Sequence, residues 1–177
     1  MMSHLKCKDI MKTKMMICCW MMLAIACSSE SVVLEGVSAY DVQAGPCKTS
    51  LSQTDTRPDF YAETMARPTT LRLTLGADGV TEGLLEDLMD NCVIGQFHVS
   101  AACRDGRIVL VVYPEVDAAT DCVCVYDIAF KIGKLLPGSY ELEVYRGRAD
   151  GQYAGKTPLC TAPIRLETCR PVVLSFP

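Results

Sequence analysis

The chain has 177 residues, a formal net charge of −4 at pH 7, an apolar fraction of 50% and 11 cysteines. If residues 1–27 are removed as an N-terminal leader, about 150 residues remain, which is enough for one domain with a single hydrophobic core. The leader holds four lysines and one acid, so the remainder is more acidic than the whole chain. It has no basic stretch for phosphate contacts, which argues against nucleic acid as a partner.

The N-terminal segment predicts export and lipid attachment. Lys12 and Lys14 precede the apolar run 15–26, and Cys27 follows it directly. A basic segment before an apolar core that is shorter than a membrane span of about 20 residues is typical of a secretory signal. The ending Leu-Ala-Ile-Ala-Cys resembles the bacterial lipoprotein signal, in which a diacylglyceryl group is attached to the cysteine and cleavage occurs just before it. An ordinary signal peptide cut near Ala26 is the alternative, and Met11 is an alternative start of translation.

This interpretation divides the chain into three parts. Residues 1–27 are an export signal ending in the lipid-accepting Cys27, residues 28–68 are a tether and polar N-terminal segment, and residues 69–177 are a β-sandwich domain whose strands begin as early as near residue 32. Several acyl chains on Cys27 give durable membrane attachment, since each buried methylene contributes about 0.8 kcal/mol. The expected location is the bacterial cell envelope, at the outer membrane or its periplasmic face.

Alternation with a period of two predicts most of the strands. Residues 71–75 place three leucines on one face, and residues 94–101 do the same with Phe97, Val99 and Ala101. Asp105 and Gly106 form a hairpin turn signal. The almost wholly apolar run 107–113 that follows is typical of a central strand.

The second half of the chain continues this pattern. Residues 122–132 and 140–144 alternate on either side of a turn at Pro137 and Gly138, and residues 163–167 and 172–176 predict two further strands. Residues 82–90 alone predict a short helix, because their leucines and methionine recur at helical spacing. The fold class expected is therefore all-β, an antiparallel sandwich with at most one short helix.

Residues in three segments carry resemblances to known families. Residues 135–144, Leu-Leu-Pro-Gly-Ser-Tyr-Glu-Leu-Glu-Val, look like the corner and strand of immunoglobulin-like sandwiches, in which the hydroxyl of a tyrosine, here Tyr140, bonds to nearby backbone. Asn91-Cys92, the Cys-x-Cys-x-Tyr-Asp element at 122–127 and the Gly138-x-Tyr140 strand resemble small lipoproteins of anaerobic gut bacteria. The resemblance implies an immunoglobulin-like β-sandwich and a surface or periplasmic lipoprotein, and it implies no catalytic residues.

Seven cysteines follow Cys27, an odd number that leaves at least one without an internal partner. Cys122 and Cys124 face the core, and their Cα atoms in an extended strand are about 6.6 Å apart, so a bond between them would be strained. Each is expected to bridge to a neighbouring strand or to be a buried thiol, with a metal or redox role as the alternative. Two flanking pairs are candidate local disulfides: Cys92 with Cys103, and Cys160 with Cys169. Cys47 is the remaining one of the seven cysteines, and the sequence does not indicate its partner.

No catalytic set is evident. His98 is the only histidine after the leader, and a Cys–His nucleophile pair would need it beside Cys92 or Cys103, yet it shares the polar face of its strand. Asp117 and Asp121 lie in an acidic loop without regular calcium-ligand spacing. A hydrolase using carboxylates that meet only in space stays open.

Sugar binding would need aromatic platforms, and with Trp20 in the leader the candidates are Tyr113, Tyr145 and Tyr153. The predicted function is a lipid-anchored binding or structural module without catalytic activity or cofactor. Its ligand would be a protein or a glycan met through loops. The alternative is a thiol-based metal or redox role centred on Cys122 and Cys124.

Overall fold

The computed structural model describes residues 37–48, 50–52, 66–92, 96–116, 122–133 and 135–177. The predicted export signal, Cys27 and the acidic loop with Asp117 and Asp121 lie outside these residues. Within them, no helix is long and apolar enough to cross a membrane.

The described residues form two β-sheets that pack face to face. The larger sheet has the order β1-β7-β4-β3-β10, with β2 also paired to β7. Its strands are β1 (Ala39–Ala44), β2 (Ser50–Ser52), β3 (Thr69–Leu75), β4 (Thr81–Asn91), β7 (Cys122–Ile132) and β10 (Pro171–Phe176). The smaller sheet has the order β5-β6-β8-β9. Its strands are β5 (Phe97–Arg104), β6 (Arg107–Pro114), β8 (Gly138–Arg146) and β9 (Cys160–Leu166).

The prediction of an all-β sandwich is confirmed, its strand pairs are antiparallel with one exception, and the described part of the chain contains no helix. One pair, β6 with β8, runs parallel, with Arg107 opposite Glu141. Strands β1 and β2 come from the 28–68 segment, so the larger sheet takes in residues before position 69. The two sheets bury one core between them, as the alternation in the sequence requires. Its fully buried members include Leu71, Leu73, Leu75, Leu85, Ile108, Leu110, Ile128, Ile132, Leu142 and Leu166.

The prediction of a helix over residues 82–90 is wrong, because this segment is most of β4. The register of β4 against β7 shifts between Leu85 and Leu88, which is a β-bulge. Asp87 in the bulge has a φ of 59°. The extra residue lets Leu85 and Leu88 both face the core at a spacing of three. That spacing is what imitates a helix in the sequence.

The predicted hairpin turn is present, and a second predicted contact forms at the start of β8. Asp105 and Gly106 join β5 to β6 with φ values of 51° and 78°, the left-handed conformation that a two-residue hairpin requires. The Tyr140 hydroxyl donates a hydrogen bond of 2.8 Å to the Leu136 carbonyl oxygen, a bond to nearby backbone of the kind that a tyrosine corner makes.

One ion pair joins the two sheets. Arg146 at the end of β8 donates two hydrogen bonds to the carboxylate of Asp90 in β4, from Nε to Oδ2 at 2.8 Å and from Nη2 to Oδ1. The Asp90 side chain is 1% exposed, whereas that of Arg146 is 42% exposed. The pair therefore ties a buried carboxylate of one sheet to a partly solvated cation of the other.

Candidate functional site

The cysteines of the larger sheet form two disulfides, Cys47–Cys124 and Cys92–Cys122. Cys92 follows β4 directly and its N–H bonds to the Cys122 carbonyl oxygen, so the two residues stand opposite each other with Cα atoms 5.4 Å apart. That separation is ideal for a disulfide. The candidate pair Cys92–Cys103 is wrong, because Cys92 is bonded to Cys122 and Cys103, on β5 of the other sheet, is a free thiol.

Three cysteines of the described residues carry free thiols: Cys103, Cys160 and Cys169. The candidate pair Cys160–Cys169 is therefore wrong as well. Burial raises the pKa of the Cys103 and Cys160 thiols above the ordinary value. Cys169 is exposed in the turn between β9 and β10, where its φ of 60° is left-handed.

The two disulfides lie against each other. The Sγ atoms of Cys124 and Cys92, which belong to different disulfides, are 3.3 Å apart. Cys124 is only 1% exposed, and Cys47 at the other end of its disulfide is exposed. The sequence predicts that Cys122 and Cys124 bridge to a neighbouring strand or are buried thiols; in the structure both form bridges, to residues just past the ends of β4 and β1. Neither sulfur is a thiolate in this form. We call these four residues the sulfur cluster.

A charged network holds the segment that carries Cys47. Lys48 Nζ lies 2.8 Å from Asp87 Oδ1 and 2.6 Å from Asp127 Oδ1. Partial burial lowers the pKa of Lys48, but the hydrogen bonds and charges of Asp127 and Asp87 outweigh it and leave the pKa above its ordinary value. The Asp87 N–H, which the bulge frees from the ladder, bonds to Asp127 Oδ1 at 3.1 Å. The bulge thus positions a carboxylate for the residue next to the disulfide.

Aromatic side chains gather on the outer face of the smaller sheet. The His98 and Tyr113 rings stack with centroids 5.3 Å apart, and those of Tyr145 and Tyr153 lie 4.6 Å apart. Val111, two residues before Tyr113, is paired with Tyr145 across the parallel strands β6 and β8. Tyr113 and Tyr145 therefore lie on the same face of adjacent strands. We call His98, Tyr113, Tyr145 and Tyr153 the tyrosine face; all four are half-buried.

Polar groups border the tyrosine face. The Tyr145 hydroxyl donates a hydrogen bond of 2.9 Å to Glu143, and Arg107 Nε lies 3.5 Å from the other oxygen of that carboxylate. Burial and the Glu143 hydrogen bond raise the pKa of Tyr145. Beyond Arg107 an open groove of about 860 Å³ runs along the β5–β6 hairpin and the strands β8 and β9. Its charged lining consists of Arg104, Asp105, Arg107, Glu141 and Arg165.

The structure separates the residues of the candidate nucleophile pair. His98 lies on the outer face with Tyr113, whereas Cys103 packs against the core and Cys92 is in a disulfide. In the described part of the chain, no three His, Cys, Asp or Glu side chains are grouped to hold a metal ion. From the sequence, Tyr113, Tyr145 and Tyr153 are separate candidates for a sugar-binding surface. The parallel pairing of β6 with β8, for which the sequence contains no signal, brings Tyr113 and Tyr145 to one face, and the Tyr153 ring packs against Tyr145 from the segment after β8.

Comparisons with protein-family models, with curated proteins and with solved structures gave no match for this chain.

Proposed function

We propose that this protein is a lipid-anchored, non-enzymatic binding module of the bacterial cell envelope and that its tyrosine face binds a glycan. The observation that carries the ligand class is the grouping of three tyrosines beside the Arg107–Glu143 pair. The apolar C–H face of a pyranose packs on an aromatic ring, and its hydroxyls accept from an arginine or donate to a carboxylate. A site for sugars needs these two chemistries side by side.

The neighbouring groove supports the same ligand class. It is lined by three arginines and two acids, so it offers hydrogen-bond donors and acceptors without a strong net charge. Arg107 belongs to both surfaces, because it contacts Glu141 in the groove and Glu143 at the tyrosine face. A chain of several sugar units could therefore contact rings at one end and charged pairs at the other.

Native gel electrophoresis through gels that contain a soluble polysaccharide tests the proposal. We expect retardation of the purified protein by at least one of a panel of neutral and uronic-acid polysaccharides. Tyr145→Ala and Tyr153→Ala should each weaken it at least tenfold, about 1.4 kcal/mol. Tyr40→Ala is the matched control, since Tyr40 is an exposed tyrosine on the larger sheet. Retardation that survives both tyrosine-face variants, or none with any polysaccharide, would contradict glycan binding at this face.

A further inference from the structure

The sulfur cluster has an arrangement that a pair of purely structural disulfides does not need. Two disulfides at separate places in a sheet would each tie two strands and would not contact each other. Here Cys124 Sγ and Cys92 Sγ lie 3.3 Å apart, so each sulfur already stands beside a sulfur of the other bond. Thiol–disulfide exchange requires this proximity, because a thiolate must reach a sulfur of an existing disulfide.

We propose that the sulfur cluster is a thiol–disulfide exchange site. An external thiol attacks Cys47, and Cys122 is the thiol that is finally released. The two ends differ in access. Cys47 is exposed, whereas Cys124 is buried and can be reached only by a group that is already inside the protein. The neighbouring Cys92 is such a group. The external reactant is a compound or protein that presents an accessible thiol.

The proposed sequence has two displacement steps. A thiolate attacks Cys47 Sγ; the new mixed disulfide forms, the Cys47–Cys124 bond breaks, and Cys124 leaves as a thiolate. The Cys124 thiolate then attacks Cys92 Sγ; a Cys92–Cys124 bond forms, the Cys92–Cys122 bond breaks, and Cys122 leaves as a thiolate that takes up the proton lost by the external thiol. Two disulfides exist before and two after, so no oxidant or reductant is consumed.

The local backbone permits the second bond. Cys92 lies one residue past the end of β4, and a single hydrogen bond from its N–H continues the ladder. A diagonal pair on neighbouring strands has Cβ atoms somewhat less than about 7–8 Å apart, beyond the usual range for a disulfide. The Cys92–Cys124 bond therefore needs a small shift of Cys92 at the strand end. We infer that this bond is the less stable pairing and accumulates only when the freed Cys122 is trapped.

The test uses Cys47→Ser, which leaves Cys124 as a thiol beside the Cys92–Cys122 bond. The variant also carries Cys169→Ser to remove the exposed thiol, and it is incubated folded with N-ethylmaleimide. Non-reducing digestion and fragment spectra then locate the label, since Cys122 and Cys124 lie on one tryptic peptide. We expect label on Cys122 at least tenfold above that in Cys169→Ser alone, together with a Cys92–Cys124 linkage. Label confined to Cys124, or an intact Cys92–Cys122 bond without label, would overturn the proposal.

A second variant keeps the test decisive if Cys47→Ser fails to fold. Cys122→Ser, again with Cys169→Ser, leaves Cys92 as the thiol beside the Cys47–Cys124 bond. Exchange then places the label on the exposed Cys47 and produces the same Cys92–Cys124 linkage. Label on Cys92 with an intact Cys47–Cys124 bond would exclude exchange. The rate should not depend on protein concentration, because the attack is intramolecular; a rate that rises with concentration would also count against the proposal.

Discussion

Among the described residues, Arg146 supplies the counter-charge of the buried carboxylate of Asp90. Arg146 reaches it from the other sheet with two hydrogen bonds, and the Asp90 side chain is 1% exposed. Removing one partner of a buried pair leaves the other charged in an apolar environment, at a cost of about 3–5 kcal/mol. Because Arg146 is partly exposed, water can enter its place, and we expect Arg146→Ala to cost about 3 kcal/mol. Urea denaturation of the disulfide-bonded protein measures this, with the exposed Arg165→Ala as the control. An equal, small loss in both variants would contradict the role of the pair.

Thr81 presents the opposite situation. It is fully buried, and its hydroxyl has no hydrogen-bond partner among the described residues. A buried hydroxyl without a partner costs about 1–3 kcal/mol, and valine has nearly the same shape without that group. We therefore expect Thr81→Val to raise the free energy of unfolding by about 1 kcal/mol or more. Thr70→Val is the comparison, because the Thr70 hydroxyl has a partner in Ser175. A loss of stability in Thr81→Val would show that the hydroxyl is bonded in solution.

The free thiols should react in a defined order. Cys169 is exposed, whereas burial raises the pKa of Cys103 and Cys160, so at a given pH a smaller fraction of these two is in the reactive thiolate form. In the folded protein we expect iodoacetamide to modify Cys169 first. The rates at Cys103 and Cys160 should go on rising with pH above the pKa of an ordinary cysteine. Mass spectrometry after timed quenching follows all three sites. Faster modification of Cys103 than of Cys169 would contradict the burial.

At the scale of single elements, the bulge in β4 shows where sequence reasoning succeeds and fails. Strands such as β3 and β8 keep one phase of alternation from end to end, and both were predicted from it. β4 changes phase at Asp87, and the same rule then indicates a helix. The available cue was the chain context. When all the other segments are strands of two sheets that cover each other, a lone helix of about nine residues has no apolar sheet face left to pack against.

The same strand contains a close approach between backbone and ring. Gly83 is paired with Phe130 of β7, and a methyl group added at Gly83 would overlap the Phe130 ring. The ring is buried, so it has little room to move. We expect Gly83→Ala to lower the free energy of unfolding by about 1–3 kcal/mol. In the Phe130→Leu background, where the smaller side chain leaves room, Gly83→Ala should cost less stability than it does in the unaltered protein. Simple additivity of the two losses in urea denaturation would show that the two positions do not interact.

Across the whole molecule, the pairings that bring distant residues together could not be predicted. Cys47 and Cys124 are separated by 77 positions, and six cysteines alone allow about 15 connectivities. The sequence pattern predicts which residues of β5, β6 and β8 face outward. It does not predict which strands lie side by side, because the parallel pair β6–β8 is joined by a crossover that carries no sequence signal. The tyrosine face and the sulfur cluster both arise from such pairings. The local alternation of apolar and polar residues determines which face of a sheet a side chain lies on, and the strand pairing determines which residues it contacts.

The tether and anchor can be tested on the full chain in a bacterium that processes lipoproteins. Cys27→Ser removes the only thiol that the signal predicts as the lipid acceptor. We expect the unaltered protein to sediment with membranes and to incorporate labelled palmitate, because several acyl chains give attachment that a single chain does not. Cys27→Ser should lose the label and the sedimentation. Cys19→Ser is the matched control, since Cys19 lies inside the predicted apolar core of the signal.

The mass of the mature N-terminus decides between the two kinds of signal. An acylated Cys27 as first residue would place the domain at a membrane surface, where the proposed ligands of its tyrosine face and of its exposed Cys47 would be envelope glycans and the thiols of exported proteins. An unmodified N-terminus near Ser28 would indicate an ordinary signal peptide and a released protein. In that case the disulfides would still form, because both routes lead out of the reducing cytosol. Glycan binding and thiol exchange therefore do not depend on the lipid, whereas the proposed place of action does.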